Sequence, residues 1–182
     1  YTFTKKDEER ENQWKKYSKI FKIYVNFYHD ALLKNNNLTF AKEYLKKRNL
    51  TKEEVLKFKI GYVLTNNSFV KELENQFDQK SLLETGLFYL DEKRNILIER
   101  FKERVIFPIN SITGYPIALG GRKIKENNNF AKYINSPETP FFKKGSNLYN
   151  LDLARKLSNK LDHIYLVEGY MDVVGLSKNG IE

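Results

Sequence analysis

The hydrophobic period changes once along the chain, near Leu87, and that change restricts the possible folds more than any other feature. Before it, apolar residues recur at helical spacing. Positions 14, 17, 21, 24, 25, 28, 31 and 32 form one stripe several turns long, which reads as a core face rather than an aromatic binding platform. Residues 5 to 13 are charged and polar and read as a solvated lead-in. Asn35-Asn36-Asn37 breaks the stripe, and a second helix is expected from Thr39 to Lys47, burying Ala41, Tyr44 and Leu45. Thr51 and Glu54 have the spacing of a capping box for a third helix, with Gly61 as its C-terminal cap. Ser68 can cap a helix running to Phe77, and Asp78 a short one ending at Gly86. His29 has the setting of a packing or surface residue in the first helix.

After Leu87 the runs are short and of strand type. Leu87-Phe88-Tyr89 and Ile96-Leu97-Ile98 flank a polar turn. Val105 to Ile109 and Tyr115 to Leu119 flank a Gly-containing turn and read as a hairpin, its prolines at edges or strand ends. Gly120-Gly121-Arg122 lets the backbone turn or approach something closely. The loop Glu126 to Asn129 leads to a short strand, Ala131 to Asn135, and a turn at Ser136 to Pro140. The expected class is α+β, with a helical N-terminal part and a small mixed or antiparallel sheet. A last helix, Leu151 to Leu161, feeds an apolar run that ends in Glu168-Gly169, with a helix from Tyr170 onward. An acid where a buried strand meets a helix is costly unless it has a task, because an uncompensated buried carboxylate is unstable. Asp172 returns to the same side of the following helix, where stabilising the helix N-terminus is a competing role.

Charge is uneven. The chain of 182 residues has a formal charge of +9, and residues 93–144 hold 11 Lys/Arg against 4 Asp/Glu. Such a segment points to a polyanionic partner; a solvated face is the plainer alternative. Arg100, Lys102 and Arg104 would share one face of a strand. Lys132-Tyr133 sets a cation beside an aromatic, and Lys143-Lys144-Gly145 puts two cations at a flexible point. Cations bind phosphates and aromatics stack on bases, so the set reads as a groove for single-stranded nucleic acid or nucleoside triphosphates. With no cysteine, disulfides and thiolate metal sites are excluded, and two distant histidines make a zinc site unexpected. No apolar run approaches a membrane span and no secretory signal is present, so a soluble, cytoplasmic protein is expected. Both ends are expected to be cuts in a longer protein.

Six strings occur in order: Arg104-Val-Ile-Phe-Pro-Ile109, Gly120-Gly-Arg122, Lys132-Tyr-Ile-Asn-Ser-Pro-Glu-Thr139, Phe142-Lys-Lys-Gly145, Leu148-Tyr149 and Val167-Glu-Gly-Tyr-Met-Asp-Val173. As a set they resemble the RNA polymerase core of the bacterial replicative primases, the DnaG type, over most of residues 40–182. Leu119, Ala131 and Asn150 are mild departures from that family's pattern. The resemblance implies an N-terminal subdomain over about residues 1–150, then the first strand and helix of an α/β TOPRIM subdomain over 151–182. It implies that Glu168 acts near a metal as base or ligand and that Asp172 supports the same acidic centre. Arg104, Arg122, Lys132, Tyr133, Asn135 and Lys144 would line a basic cleft for template or nucleotide phosphates. The implied reaction is synthesis of short RNA primers on single-stranded DNA from ribonucleoside triphosphates, with Mg2+ or Mn2+. The family's later Asp-x-Asp motif would lie beyond Glu182, its zinc ribbon would precede this chain, and its helicase-binding domain would follow. Rival readings are a non-catalytic single-strand-binding module and another TOPRIM enzyme, a topoisomerase or nuclease; the Lys132–Thr139 string argues against the second.

Overall fold

A computed structural model of the chain describes residues 4–64, 67–125, 131–157 and 163–181. Its longest element is helix α1 (Lys5–Lys34), 30 residues that include the segment expected to be a solvated lead-in. Thr4 explains the early start. Its hydroxyl accepts from the Asp7 amide at 3.3 Å, while the Asp7 carboxylate accepts from the Thr4 amide at 3.0 Å. The charged first turns are good helix formers and need no apolar stripe. The stripe itself is buried as Tyr17, Ile20, Phe21, Tyr24, Val25, Tyr28 and Leu32, with His29 beside them. His29 is a packing residue: its ring Nδ1 lies 2.7 Å from the Ile60 carbonyl, to which it donates.

A single 3-10 turn leads to α2 (Thr39–Lys47), and α3 (Lys52–Lys57) follows. The Thr51–Glu54 capping box forms as expected, the Glu54 carboxylate accepting from the Thr51 amide at 2.7 Å. Gly61 does not cap this helix. Phe58 does, and Lys59 takes the positive φ of 51°. Gly61 instead begins strand β1 (Gly61–Tyr62) and lies so close to α1 that a Cβ there would sit 2.9 Å from the His29 nitrogen. Helices α4 (Asn67–Gln76) and α5 (Gln79–Glu84) agree with the helical spacing, α5 capped by the Asp78 carboxylate. Strands β2 (Phe88–Asp91) and β3 (Ile96–Glu99) form a separate antiparallel hairpin.

The main sheet is antiparallel in the order β1-β4-β5-β6, with β4 at Arg104–Asn110, β5 at Pro116–Lys123 and β6 at Tyr133–Asn135. Pro108 lies past the two residues that β1 pairs, and Pro116 begins β5, so neither removes a needed donor from a shared ladder. Gly120-Gly121-Arg122 is not a turn but the interior of β5, paired with β4 and β6. The expected loop at 126–129 lies outside the described residues, as does the end of the Leu151–Leu161 helix; α6 is described over Leu151–Leu157.

Both faces of the sheet are covered. Paired residues of an antiparallel ladder share a face. Ile106, Ile117 and Leu119 pack with α1 through Tyr17, Phe21 and Tyr24. Val105 and Phe107 pack with Tyr62, Leu45, Val55, Phe58 and Val174 in a second core. Val174 belongs to α7 (Tyr170–Lys178), which thereby closes the second face. The run before α7 departs from expectation. Residues 163–167 pair with no strand, and Ile164, Tyr165 and Leu166 are exposed. An apolar run becomes a strand only where a neighbour takes its hydrogen bonds, and among the described residues this one has none. No helix among the described residues is long and apolar enough to cross a membrane.

Candidate functional site

Register sorts the candidate cations by face. Arg122 pairs with Val105 on one side and Tyr133 on the other, so it belongs to the face covered by α2, α3 and α7. Its guanidinium lies 4.7 Å from the Tyr133 ring centroid and 5.4 Å from that of Tyr44 in α2, a cation held between two aromatic faces. The residue is 6% exposed, and its Nε has no hydrogen-bond partner among the described residues. Tyr133 and Asn135 are exposed, as is Lys132, the residue before β6. Arg122, Tyr133 and Asn135 therefore share one face of the sheet, and Lys132 leads into β6.

Arg104 is set apart from them. It pairs with Lys123 and faces the opposite side of the sheet. It is buried, and its guanidinium donates to the carbonyls of Ala131 at 2.8 Å and Lys132 at 3.2 Å. Desolvation pulls its pKa below the usual arginine value, and the two carbonyls compensate the charge. Nor do Arg100, Lys102 and Arg104 share a strand face, because β3 ends at Glu99 and residues 100–103 are a connection. There the Arg100 Nε donates to the Gly86 carbonyl at 2.9 Å. Lys144 lies elsewhere again, in a 3-10 turn whose first amide donates to Glu138 at 3.2 Å, with its side chain exposed.

The Lys132–Thr139 string divides in two. Its first half carries the exposed groups. Its second half is an anchor: the Ser136 hydroxyl accepts from the Leu119 amide at 2.9 Å, and Thr139 shares a 2.8 Å hydrogen bond with Tyr17 of α1. Pro137 packs over Gly86, where a Cβ would come within 2.7 Å of the proline ring.

Glu168 precedes α7. It is exposed, not buried, and its carboxylate has no hydrogen-bond partner among the described residues. The cost of burial that drew attention to this acid in the sequence therefore does not apply, because the preceding run is open to solvent. Asp172 is also exposed, and its carboxylate accepts from the Gly169 amide at 3.1 Å. That is the stabilising contact expected of an acid in the first turn of a helix. Among the described residues no three carboxylates or histidines are grouped as a metal site would need. A lone hydrated carboxylate still suits Mg2+, which keeps several waters and takes one or two protein ligands with substrate phosphates.

Two aromatic residues at the site were not singled out by sequence. Tyr44 reads from helical spacing as a core residue, and only the fold brings its ring over Arg122. Tyr170 lies inside a quoted string, yet nothing in that string signals that its hydroxyl donates to the Asn135 side chain at 2.6 Å. The one available signal is indirect: consecutive glycines in a strand imply that something comes close to the backbone.

Comparison with known proteins bears on all of this. Residues 27–155 match the family model described as the DNA primase catalytic core, N-terminal domain. The chain is 40% identical over 159 residues to a DNA primase of Pseudomonas aeruginosa, a match covering 86% of this chain and 24% of that protein. It is similar to a solved DnaG primase catalytic domain bound to ssDNA, with a TM-score of 0.82 and 34% identity over 94% of this chain and 53% of that one. It is also similar to the zinc-binding and RNA polymerase domains of Aquifex aeolicus primase, with a TM-score of 0.81 and 33% identity over 93% of this chain and 41% of that one. The chain spans only about a quarter of the length of the curated relatives it matches.

Proposed function

The chain belongs to the DnaG-type bacterial DNA primases and carries the N-terminal domain of their catalytic core, and on that footing we propose that the whole protein makes short RNA primers on single-stranded DNA. The reaction is nucleotidyl transfer: a ribonucleotide 3′-hydroxyl attacks the α-phosphate of the next nucleoside triphosphate, and pyrophosphate leaves. The observation that carries this reading within the chain is the cluster of Arg122, Lys132, Tyr133 and Asn135, joined through Tyr170 to the segment bearing Glu168.

In this reading Lys132 contacts phosphate directly and Tyr133 offers a ring face to a base or sugar. Arg122, stacked and partly desolvated, contributes a fixed positive potential behind them. Lys144 takes a more distant stretch of the polyanion. Arg104, its donors already on two carbonyls, holds the entrance to β6 and touches no phosphate. Glu168 serves as a ligand or base at the catalytic metal, with its remaining acids outside this chain, and Asp172 keeps the helix start beneath it in place. A bound Mg2+ or Mn2+ would offset charge on the reacting phosphate. The division of the chain at about residue 150 into an N-terminal and a TOPRIM subdomain, the helicase partner and a cytoplasmic location belong to the same proposal.

The test uses the whole protein. Glu168→Gln is expected to abolish dinucleotide synthesis while leaving single-strand binding near wild type. Lys132→Ala is expected to weaken that binding several-fold and to reduce its salt dependence by about one charge. Normal priming by Glu168→Gln would refute the assignment of the acid, and unchanged binding by Lys132→Ala that of the cleft.

A further inference from the structure

Gly120 lies in the interior of β5 with its missing side chain aimed at α7. A Cβ there would stand 2.4 Å from the Tyr170 ring carbons and 2.7 Å from its hydroxyl oxygen. The ring thus occupies a notch that only glycine leaves open. Phe107 of β4 stacks parallel to it, with centroids 5.5 Å apart and planes 6° from parallel. Tyr149 meets it edge-on at 4.9 Å. Backbone closes the third side, so the ring has one resting place.

Its hydroxyl then reaches the Asn135 Oδ1 at 2.6 Å. An amide oxygen only accepts, so the phenol is the donor. Asn135 is on β6, two residues from Tyr133, and Tyr170 is two residues from Glu168. The strand that carries the exposed cation and aromatic is therefore tied to the start of the acid-bearing segment by one side chain seated in a rigid notch. Among the described residues, the run before Glu168, residues 163–167, pairs with no strand. Nothing else among the described contacts joins β6 to α7 by a polar bond.

We propose that Tyr170 is a positioning residue for primer synthesis: wedged over Gly120 and bonded to Asn135, it sets the spacing between Glu168 and the strand that holds the polyanion. The inference rests on the roles given to Glu168 and β6 above and adds the part that holds them in register. Catalysis at a phosphate depends on placement to within about an ångström, so a loosened joint lowers turnover before it lowers binding.

The experiment is steady-state priming by the whole protein, run for Tyr170→Phe and Gly120→Ala beside Glu168→Gln. Tyr170→Phe removes one oxygen and keeps the ring. It is expected to lower kcat about 3- to 10-fold, the effect of one lost hydrogen bond. KM for the nucleoside triphosphate, single-strand affinity and thermal midpoint should stay near wild type. Gly120→Ala, which must expel the ring, is expected to lower kcat further. A Tyr170→Phe protein with wild-type kcat overturns the inference, as does one whose kcat falls only in step with its single-strand affinity. If Glu168→Gln primes normally, the parent reading fails. If Glu168→Gln is dead and Tyr170→Phe is normal, only the positioning role fails.

Discussion

Glu99 closes β3 with its side chain 2% exposed, an unusual site for a carboxyl group. The Tyr28 hydroxyl of α1 bonds one oxygen, and the other has no partner among the described residues. Burial pushes its pKa up to about 7, against the opposing pull of the Tyr28 hydrogen bond and the Lys102 charge. The folded protein thus holds a proton that the unfolded chain releases near pH 4.5. Folding is then disfavoured progressively as pH rises from about 4.5 to about 7, with a slope of at most about 1.4 kcal/mol per pH unit. Glu99→Gln is expected to remove that slope: its thermal midpoint should change less than wild type between pH 5 and pH 7.5. A parallel change in both proteins would show that Glu99 does not titrate in this window. Sequence reasoning found neither this acid nor the division between Arg104 and Arg122. Both are matters of which side of a strand faces what, and a register shift of one residue reverses every such assignment. By contrast Lys132 and Tyr133 stand out in the sequence as a cation beside an aromatic, while Asn135 rests on the family resemblance alone.

At the scale of elements, legibility follows local physics. The helices at Thr39–Lys47 and Lys52–Lys57 agree with spacing and with the Thr51 cap, and the hairpin of β4 and β5 with its turn. The early start of α1 was missed because it rests on a cap, Thr4 with Asp7, and not on an apolar stripe. Glycines were harder still. Gly61 looks like a helix cap, and Gly120-Gly121 like a turn or a close approach, yet each lies within a strand. Their use is close approach: Gly61 to the backbone of α1, Gly120 to Tyr170, Gly121 to Phe101. Gly61 admits the least adjustment, since a Cβ would meet backbone atoms of Tyr28 and His29 within 3.0 Å. Gly61→Ala is therefore expected to destabilise the fold by about 2 kcal/mol. Urea denaturation should register this as a lower midpoint with an unchanged slope, since the contact surface of the native state is kept.

Taken whole, the molecule concentrates positive charge in the segment that supplies β4, β5 and β6, while its three most exposed large apolar side chains among the described residues are consecutive. Ile164 is 62% exposed, Tyr165 57% and Leu166 81%. An extended apolar stretch with free backbone donors and acceptors is a template for pairing with another copy of itself. A net charge of +9 keeps such copies apart in dilute buffer. Added salt screens that repulsion and strengthens apolar association, so the isolated 182-residue chain should self-associate more as ionic strength rises. Its grip on a single strand should weaken over the same range. Sedimentation at increasing salt is expected to report growing assemblies, and Leu166→Ser to suppress them without altering single-strand binding at low salt. Around the unpaired run before Glu168, added salt thus trades one kind of contact for another: the chain lets go of nucleic acid and takes hold of its own copies.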